Sequence, residues 1–126
     1  MLGVELLYSK EHEWIRVEGD VGIVGITEYA QDQLGEIVFV ELPELGKDMK
    51  RGEVIGVVES TKAVSDIYSP VSGSILEVNT ALDTNPELVN TNPEGDGWIF
   101  KIQMDELDEL DTLMDEAEYR EYTALL

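Results

Sequence analysis

Residues 57–73 read VVESTKAVSDIYSPVSG and contain one of the few lysines of this chain, Lys62. Runs of strand-forming residues lie on both sides of it, EVIGVVES at 53–60 and AVSDIYS at 63–69. Valine, isoleucine and tyrosine favour β-strands, and the proline and glycine that follow favour turns. The pattern therefore predicts two strands that hold Lys62 at an exposed turn between them.

Other short strand-forming runs surround this hairpin and are separated by glycine and proline turns. They are Trp14 to Val17, Val21 to Ile26, EIVFVEL at 36–42, SILEVN at 74–79 and WIFKIQM at 98–104. A brief helix is predicted at 27–35, because Thr27 can cap its first turn and Gly35 stands where a helix ends. The segment at 81–97 is rich in Asn, Pro, Asp and Gly and is predicted to be an ordered loop. Many short strands with such turns favour a small barrel or sandwich over a parallel sheet.

The C-terminal segment changes its hydrophobic period. Apolar residues recur there at three and four positions, which is typical of one helical face; they are Leu107, Leu110, Leu113, Met114 and Ala117. Asp115 followed by Glu118 resembles a capping box, so a second short helix is predicted to begin there. We expect one domain over residues 1–126, with the barrel at about 13–103 and a helical segment at about 105–126.

The charge of the chain limits the classes of partner. It has 8 Lys+Arg against 28 Asp+Glu and a formal net charge of −20. Nucleic acids and anionic membranes are bound by clusters of basic residues, so this balance argues against both. Partners with basic patches are favoured instead.

The sequence has no cysteine, which excludes disulfides, thiolate metal sites and a cysteine nucleophile. Any redox chemistry would have to arrive on a cofactor. No apolar run reaches the length of a membrane span, and the first residues lack the basic character of a targeting signal. The expected location is the cytoplasm.

A conventional catalytic centre is hard to assemble from these residues. The single histidine, His12, has no second histidine or cysteine to share a metal, and we expect a surface or structural role for it. Gly46-Lys47 lacks the remaining residues of a phosphate-binding loop. Nearby carboxylates are expected by chance in so acidic a chain. The sequence does not resemble that of an enzyme.

A lysine at a hairpin tip is usually a hydrated charge that keeps a sheet edge soluble. Three features favour a functional Lys62. Strands on both sides hold it at an exposed turn, Gly46 and Gly73 occupy turns before and after it, and Glu59 and Asp66 bracket it. A modifying enzyme requires an accessible ε-amine on a rigid turn. The pattern indicates a site of post-translational acylation.

The same residues resemble a known family. VVESTKAVSDIYSPVSG resembles the lipoylation segment of the glycine cleavage system H proteins, whose usual form is E-S-V-K-A-x-S-D followed by Y-S-P and a glycine turn. HEWIRVEGDVGIVGITEYAQDQLGEIVFVELPELG at 12–46 and NPELVNTNPEGDGWIFKI at 85–102 are similar to other parts of that family. The resemblance covers about residues 8–120. Thr61 replaces the more usual valine, and Glu94 stands where an aromatic residue is common.

The resemblance implies a mostly β fold, the lipoyl/biotinyl-type barrel-sandwich hybrid with short flanking and C-terminal helices. It implies a carrier rather than a catalyst, with lipoate joined to Lys62 by an amide bond. In the implied cycle a pyridoxal-phosphate glycine decarboxylase places an aminomethyl group on the arm, and an aminomethyltransferase passes the one-carbon unit to tetrahydrofolate. Dihydrolipoamide dehydrogenase then reoxidises the dithiol. A separate lipoylating enzyme is implied as a fourth partner.

The resemblance also implies contacts for the loaded arm. In this family the arm can fold back into a groove, where carboxylates favour a charged amine. Glu13 and Asp66 match these positions, and Glu59 is a further candidate for contact with the arm or for recognition. The alternative interpretations are a solvated strand edge for Glu13, and turn stabilisation or recognition by the lipoylating enzyme for Asp66.

Other functions compete with this interpretation. A lipoyl domain of a 2-oxoacid dehydrogenase would share the lysine turn but would continue into Ala/Pro-rich linkers, and a biotin carrier would place methionines beside Lys62. Two alternatives are consistent with the residues. One is an H-like protein that relays lipoyl groups to other enzymes, and the other is an unmodified acidic interaction module.

Overall fold

A computed structural model describes residues 5–126. The strands are β1 (Leu6–Tyr8), β2 (Glu13–Glu18), β3 (Val21–Ile26), β4 (Ile37–Glu41), β5 (Asp48–Met49), β6 (Val54–Ser60), β7 (Val64–Tyr68), β8 (Gly73–Val78) and β9 (Phe100–Met104). The α-helices are α1 (Glu28–Leu34), α2 (Leu88–Thr91) and α3 (Glu116–Ala124), and 3₁₀ turns cover Thr80–Asp83 and Leu107–Thr112. The predicted mostly β composition with short helices is confirmed.

The strands form two antiparallel sheets. The larger has the order β1-β2-β3-β9-β8-β5, and the smaller has the order β4-β6-β7. Residues of both sheets point inward and form the main apolar cluster, which includes the fully buried Ile15, Val58 and Phe100, and a second, smaller cluster contains Trp14 and Tyr119. Apolar burial at about 25 cal/mol per Å² is the main force that holds the two sheets together. The β6–β7 hairpin lies in the smaller sheet.

Several elements were missed or misassigned by the sequence patterns. The three-residue β1 and the two-residue β5 were not predicted, because such short strands lack a readable alternation. The segment at 81–97, predicted to be a loop, contains α2 and the end of a 3₁₀ turn that Asn79 caps by accepting a hydrogen bond from the Ala81 amide. The proposed limits of the domain, the barrel and the helical segment stay predictions.

The C-terminal segment packs only partly through the residues that its period indicates, since Leu110, Leu113 and Met114 are half-buried against the core. Leu107 and Ala117 are exposed, and residues 107–112 form a 3₁₀ turn rather than an α-helix. The α3 helix begins at the predicted capping box of Asp115 and Glu118. It is anchored by the buried Tyr119, whose ring stacks on Tyr8 with 4.5 Å between the centroids. Aromatic stacking therefore adds to the part of the predicted apolar face that packs on the core.

Within residues 5–126, no helix is long and apolar enough to cross a membrane.

Candidate functional site

The turn between β6 and β7 presents Lys62 to solvent. Thr61, Lys62 and Ala63 are all exposed. The buried Ser60 closes the turn: its backbone amide donates to the Ala63 carbonyl at 2.8 Å, and its hydroxyl accepts from the amides of Lys62 at 3.2 Å and Ala63 at 3.0 Å. The structure thus places Lys62 at a closed, exposed turn, as the sequence predicts.

A second set of contacts fixes the turn against the α1–β4 junction. The Thr61 amide donates to the Glu36 carbonyl at 3.0 Å. The Asn90 side chain of α2 holds this junction, because its Oδ1 accepts from the Ile37 amide and its Nδ2 donates to the Gly35 carbonyl, both at 2.8 Å. No local sequence pattern indicates this role of Asn90. The available signal was its place in the 85–102 segment that carries the resemblance.

The stem of Lys62 lies over the C-terminal end of α1. A Cβ atom at Gly35 would stand 3.3 Å from Lys62 Cε, and Gly35 has a φ of +83°. Both the left-handed backbone and the close approach of the lysine favour glycine at this position. Gly35 therefore ends the helix and leaves room for the lysine stem.

Glu13 is buried, with 2% of its surface exposed, so the alternative of a solvated strand edge does not hold. Its Oε1 accepts from the Ser9 hydroxyl at 2.6 Å, and its Oε2 accepts from the Tyr68 amide at 3.1 Å. Burial raises the pKa of Glu13 to about 7, and the two hydrogen bonds oppose that rise. A carboxyl group with this pKa can exist in either protonation state near neutral pH.

Glu13 and Lys62 lie at opposite ends of β7. The amide that Glu13 binds belongs to the last residue of β7, Tyr68, whereas Lys62 precedes its first residue, Val64. At about 3.3 Å per residue, β7 is roughly 13 Å long, and Lys62 lies two residues before its start. Ser9 also lines an open cleft of about 350 Å³ next to this end of β7, so the Glu13 end is close to this cleft.

The other two candidate carboxylates, Glu59 and Asp66, flank the hairpin and are exposed. In the sheet register Glu59 pairs with Val64, and Asp66 pairs with Val57. With the described residues Lys62 forms no ion pair. The structure therefore brings Glu59 and Asp66 close to the lysine turn, while Glu13 lies at the far end of β7.

His12 lies in a structural network, which agrees with the expected surface or structural role. Its φ is +70°, and its ring nitrogen Nδ1 is hydrogen-bonded to the Tyr119 hydroxyl at 2.7 Å. The same hydroxyl bonds to the hydroxyl of Thr27, the N-cap of α1, at 2.8 Å. Burial lowers the pKa of His12. The network connects α3 to the start of α1 and to the residue before Glu13.

Glu94, which stands where an aromatic residue is common, has a local contact. Its Oε2 accepts from the amide of Glu28, the first residue of α1, at 3.1 Å. An acidic group at a helix start is stabilising. No group of three metal-ligating side chains occurs among residues 5–126.

Comparisons with known proteins agree with this geometry. The sequence model of the family described as glycine cleavage H-protein matches residues 6–125. The glycine cleavage system H protein of Symbiobacterium thermophilum is 60% identical over 119 residues, which cover 94% of this chain and 93% of the relative. The protein of the same name from Thermotoga maritima is 52% identical over 93% of this chain and 94% of the relative.

A solved structure is similar as well. The crystal structure of a glycine cleavage system H protein from Mycobacterium marinum superposes with a TM-score of 0.85 and 39% sequence identity, over 98% of this chain and 99% of that one. The predicted barrel-sandwich fold is thereby confirmed.

Proposed function

The chain belongs to the glycine cleavage H-protein family, and on this premise we propose that Lys62 is the residue through which it carries its lipoyl group. The chain is a non-catalytic lipoyl carrier of glycine cleavage. Neither a relay of lipoyl groups to other enzymes nor an unmodified interaction module is favoured by these relatives. The observation that carries the proposal is the exposed Lys62 on the turn that Ser60 closes.

The residues around Lys62 fit a covalently attached arm. The ε-amine is exposed, and Gly35 leaves space beside the stem. When bound, the lipoyl group would supply a cyclic disulfide that is reduced as one of its sulfurs takes up the aminomethyl group, and the dithiol left after that group is passed on would then be reoxidised. An amide at Nζ would remove the lysine charge and extend the reach to on the order of 10 Å or more, which is comparable with the length of β7.

We propose that Glu13 binds the amine at the end of the loaded arm. Ser9 and Tyr68 orient its carboxylate, and the pKa of about 7 allows it to be ionised when a cation is close. A neighbouring ammonium would favour the ionised form further. For Asp66 and Glu59 we propose contacts on the outer surface beside the turn, either with the arm or with the enzyme that modifies it, and their exposure supports this.

We propose three partners for the cycle, together with the lipoylating enzyme. These are a pyridoxal-phosphate glycine decarboxylase, an aminomethyltransferase and dihydrolipoamide dehydrogenase. A net charge of −20 favours encounter with partners that carry basic patches around their active sites. Tethering would give the arm a high local concentration at each of them. We propose the cytoplasm as the place where they meet.

The test is glycine cleavage in a system reconstituted from the three partners. Lys62→Arg keeps the positive charge but removes the amine that can be acylated at this turn, so the rate should fall to background. Lys50→Arg is the matched control, because Lys50 is also exposed, and it should retain the wild-type rate. Wild-type turnover in Lys62→Arg would refute the assignment of the carrier lysine.

A further inference from the structure

The outer face of the smaller sheet carries a row of exposed residues beside the lysine turn. In the register of β4, β6 and β7, Phe39 pairs with Glu59, and Glu59 pairs with Val64. Phe39 is 50% exposed and Val64 is 65% exposed. Two large apolar side chains therefore flank one carboxylate. Val64, at one end of this row, is two residues from Lys62 along the chain. We call these three residues the hairpin row.

A β-bulge enlarges the apolar surface at one end of the hairpin row. The register between β4 and β6 shifts between Ile37 and Phe39, so consecutive residues Val38 and Phe39 are both exposed. Bulges turn side chains out of the regular alternation and occur often beside functional sites. In an unbroken strand one of these two residues would point into the core.

The next row of the same face has the opposite arrangement. Glu41 pairs with Val57, and Val57 pairs with Asp66, so the carboxylates lie outside and the valine between them. Isolated apolar residues on a surface are ordinary. A contiguous face that alternates apolar and acidic groups is complementary to an apolar surface that carries basic groups.

We propose that the hairpin row is the docking surface for the enzyme that lipoylates Lys62, and that Phe39 is its main apolar contact. This inference rests on the proposed function. An unmodified lysine places its amine only about 6 Å from its own Cα, so the acylating enzyme must approach the turn and the adjoining strands closely. The three enzymes of the cycle meet the end of a longer arm and need less of this face.

The chemical step requires this closeness. The lysine nitrogen attacks the acyl carbon of a lipoyl adenylate, a C–N bond forms, AMP leaves with the electron pair of the broken C–O bond, and the nitrogen loses a proton to solvent. An enzyme that docks on the hairpin row would hold the acyl carbon within reach of the amine. Positioning of this kind is a large part of catalysis in acyl transfer.

The experiment measures kcat/KM for lipoylation of the complete apo-protein by a lipoate ligase supplied with lipoate and ATP, followed by intact mass. Phe39→Thr keeps a strand-forming residue and should lower kcat/KM about tenfold, chiefly through KM, as removal of a central aromatic contact does. Val64→Thr should lower it a few-fold. Leu76→Thr is the matched control, because Leu76 is 49% exposed on a strand of the other sheet, and it should stay within about twofold of wild type.

The outcomes separate this inference from the proposed function. If the wild-type chain gains no lipoyl group on Lys62, the proposed function fails. If the wild type is modified and Phe39→Thr is modified at the same rate, the docking surface is refuted while the carrier assignment stands. Phe39→Thr that is fully lipoylated should be reduced and reoxidised by dihydrolipoamide dehydrogenase at the wild-type rate. A tenfold loss of the rate with dihydrolipoamide dehydrogenase as well would mean that several enzymes dock on this surface. That result would overturn the inference.

Discussion

The two ends of β7 place acidic groups in opposite environments. At the Lys62 end, Glu59 and Asp66 are exposed on the outer face of the sheet. At the other end Glu13 is buried, and Ser9 and Tyr68 bind both of its oxygens. Water solvates Glu59 and Asp66 and leaves them available to a partner. Burial instead makes the ionisation of Glu13 sensitive to a charge beside it. Acidic side chains are therefore open to solvent at one end of β7 and enclosed by hydrogen-bond donors at the other.

The largest expected effect concerns the pH dependence of stability at the Glu13 end. The pKa of Glu13 is about 7 in the folded protein, whereas its ordinary value is 4.5. Its contribution to stability is thus complete below pH 4.5 and is lost as the pH rises through 7. Relative to Glu13→Gln, the free energy of unfolding of the wild type should fall by about 2 kcal/mol between about pH 5 and 8.

Urea unfolding of both proteins at several pH values measures this difference. Parallel pH profiles would mean that Glu13 has an ordinary pKa in the folded protein. That result would remove the contrast between the two ends of β7.

The next prediction concerns the support of the Lys62 end. Asn90→Ala removes hydrogen bonds to the Ile37 amide, the Gly35 carbonyl and the Gln31 side chain. Unsatisfied buried groups cost about 1–3 kcal/mol, so the free energy of unfolding should fall by about 2 kcal/mol. Hydrogen exchange at the Ile37 amide should also rise. A change below about 0.5 kcal/mol would show that water replaces these bonds without cost.

Two glycine substitutions distinguish the effect of backbone strain from the effect of crowding the Lys62 side chain. Gly35→Ala and Gly46→Ala both place a Cβ at positive φ, at +83° and +78° respectively. Each should lose about 1 kcal/mol of unfolding free energy. Only Gly35→Ala crowds Lys62, since nothing lies within 4 Å of a Cβ at Gly46.

The readout that distinguishes the two glycine variants is the lipoylation rate. Gly35→Ala should slow it several-fold and Gly46→Ala should leave it unchanged. Equal rates in both variants would contradict a role of Gly35 in placing the lysine stem.

The smallest expected effect tests the exposed carboxylate. Asp66→Asn should change the free energy of unfolding by less than about 0.5 kcal/mol, because Asp66 is exposed on the outer face. Thermal unfolding of this variant next to Glu13→Gln compares the two ends directly. A loss as large as 2 kcal/mol would mean that Asp66 is more than a surface group.

The Lys62 turn could be predicted from sequence because its determinants are local. Strand-forming runs on both sides and the turn residues lie within about a dozen positions, and the capping box of α3 is equally local. The burial of Glu13 could not be predicted, because the residue that binds its Oε2, Tyr68, is 55 positions away. The role of Asn90 depends on partners 53 to 59 positions distant.

Exposure of Phe39 was missed for a different reason. EIVFVEL has the composition of a buried strand, and a bulge of one residue changes which side chains point outward. The period of the C-terminal segment was right for Leu110, Leu113 and Met114, but Tyr119, which lies outside that pattern, provides the contact with Tyr8. Sequence periodicity reports which residues are apolar, whereas local irregularities decide which of them are buried.

The most direct test of the carrier assignment is the site of modification itself. The protein is expressed with a lipoate ligase and lipoate, its intact mass is measured, and the modified peptide is mapped. We predict one lipoyl increment located on Lys62 and no increment in Lys62→Arg, while Lys50→Arg is modified like the wild type. An increment on another lysine, or no increment under conditions that fully modify a known acceptor, would contradict the assignment of Lys62.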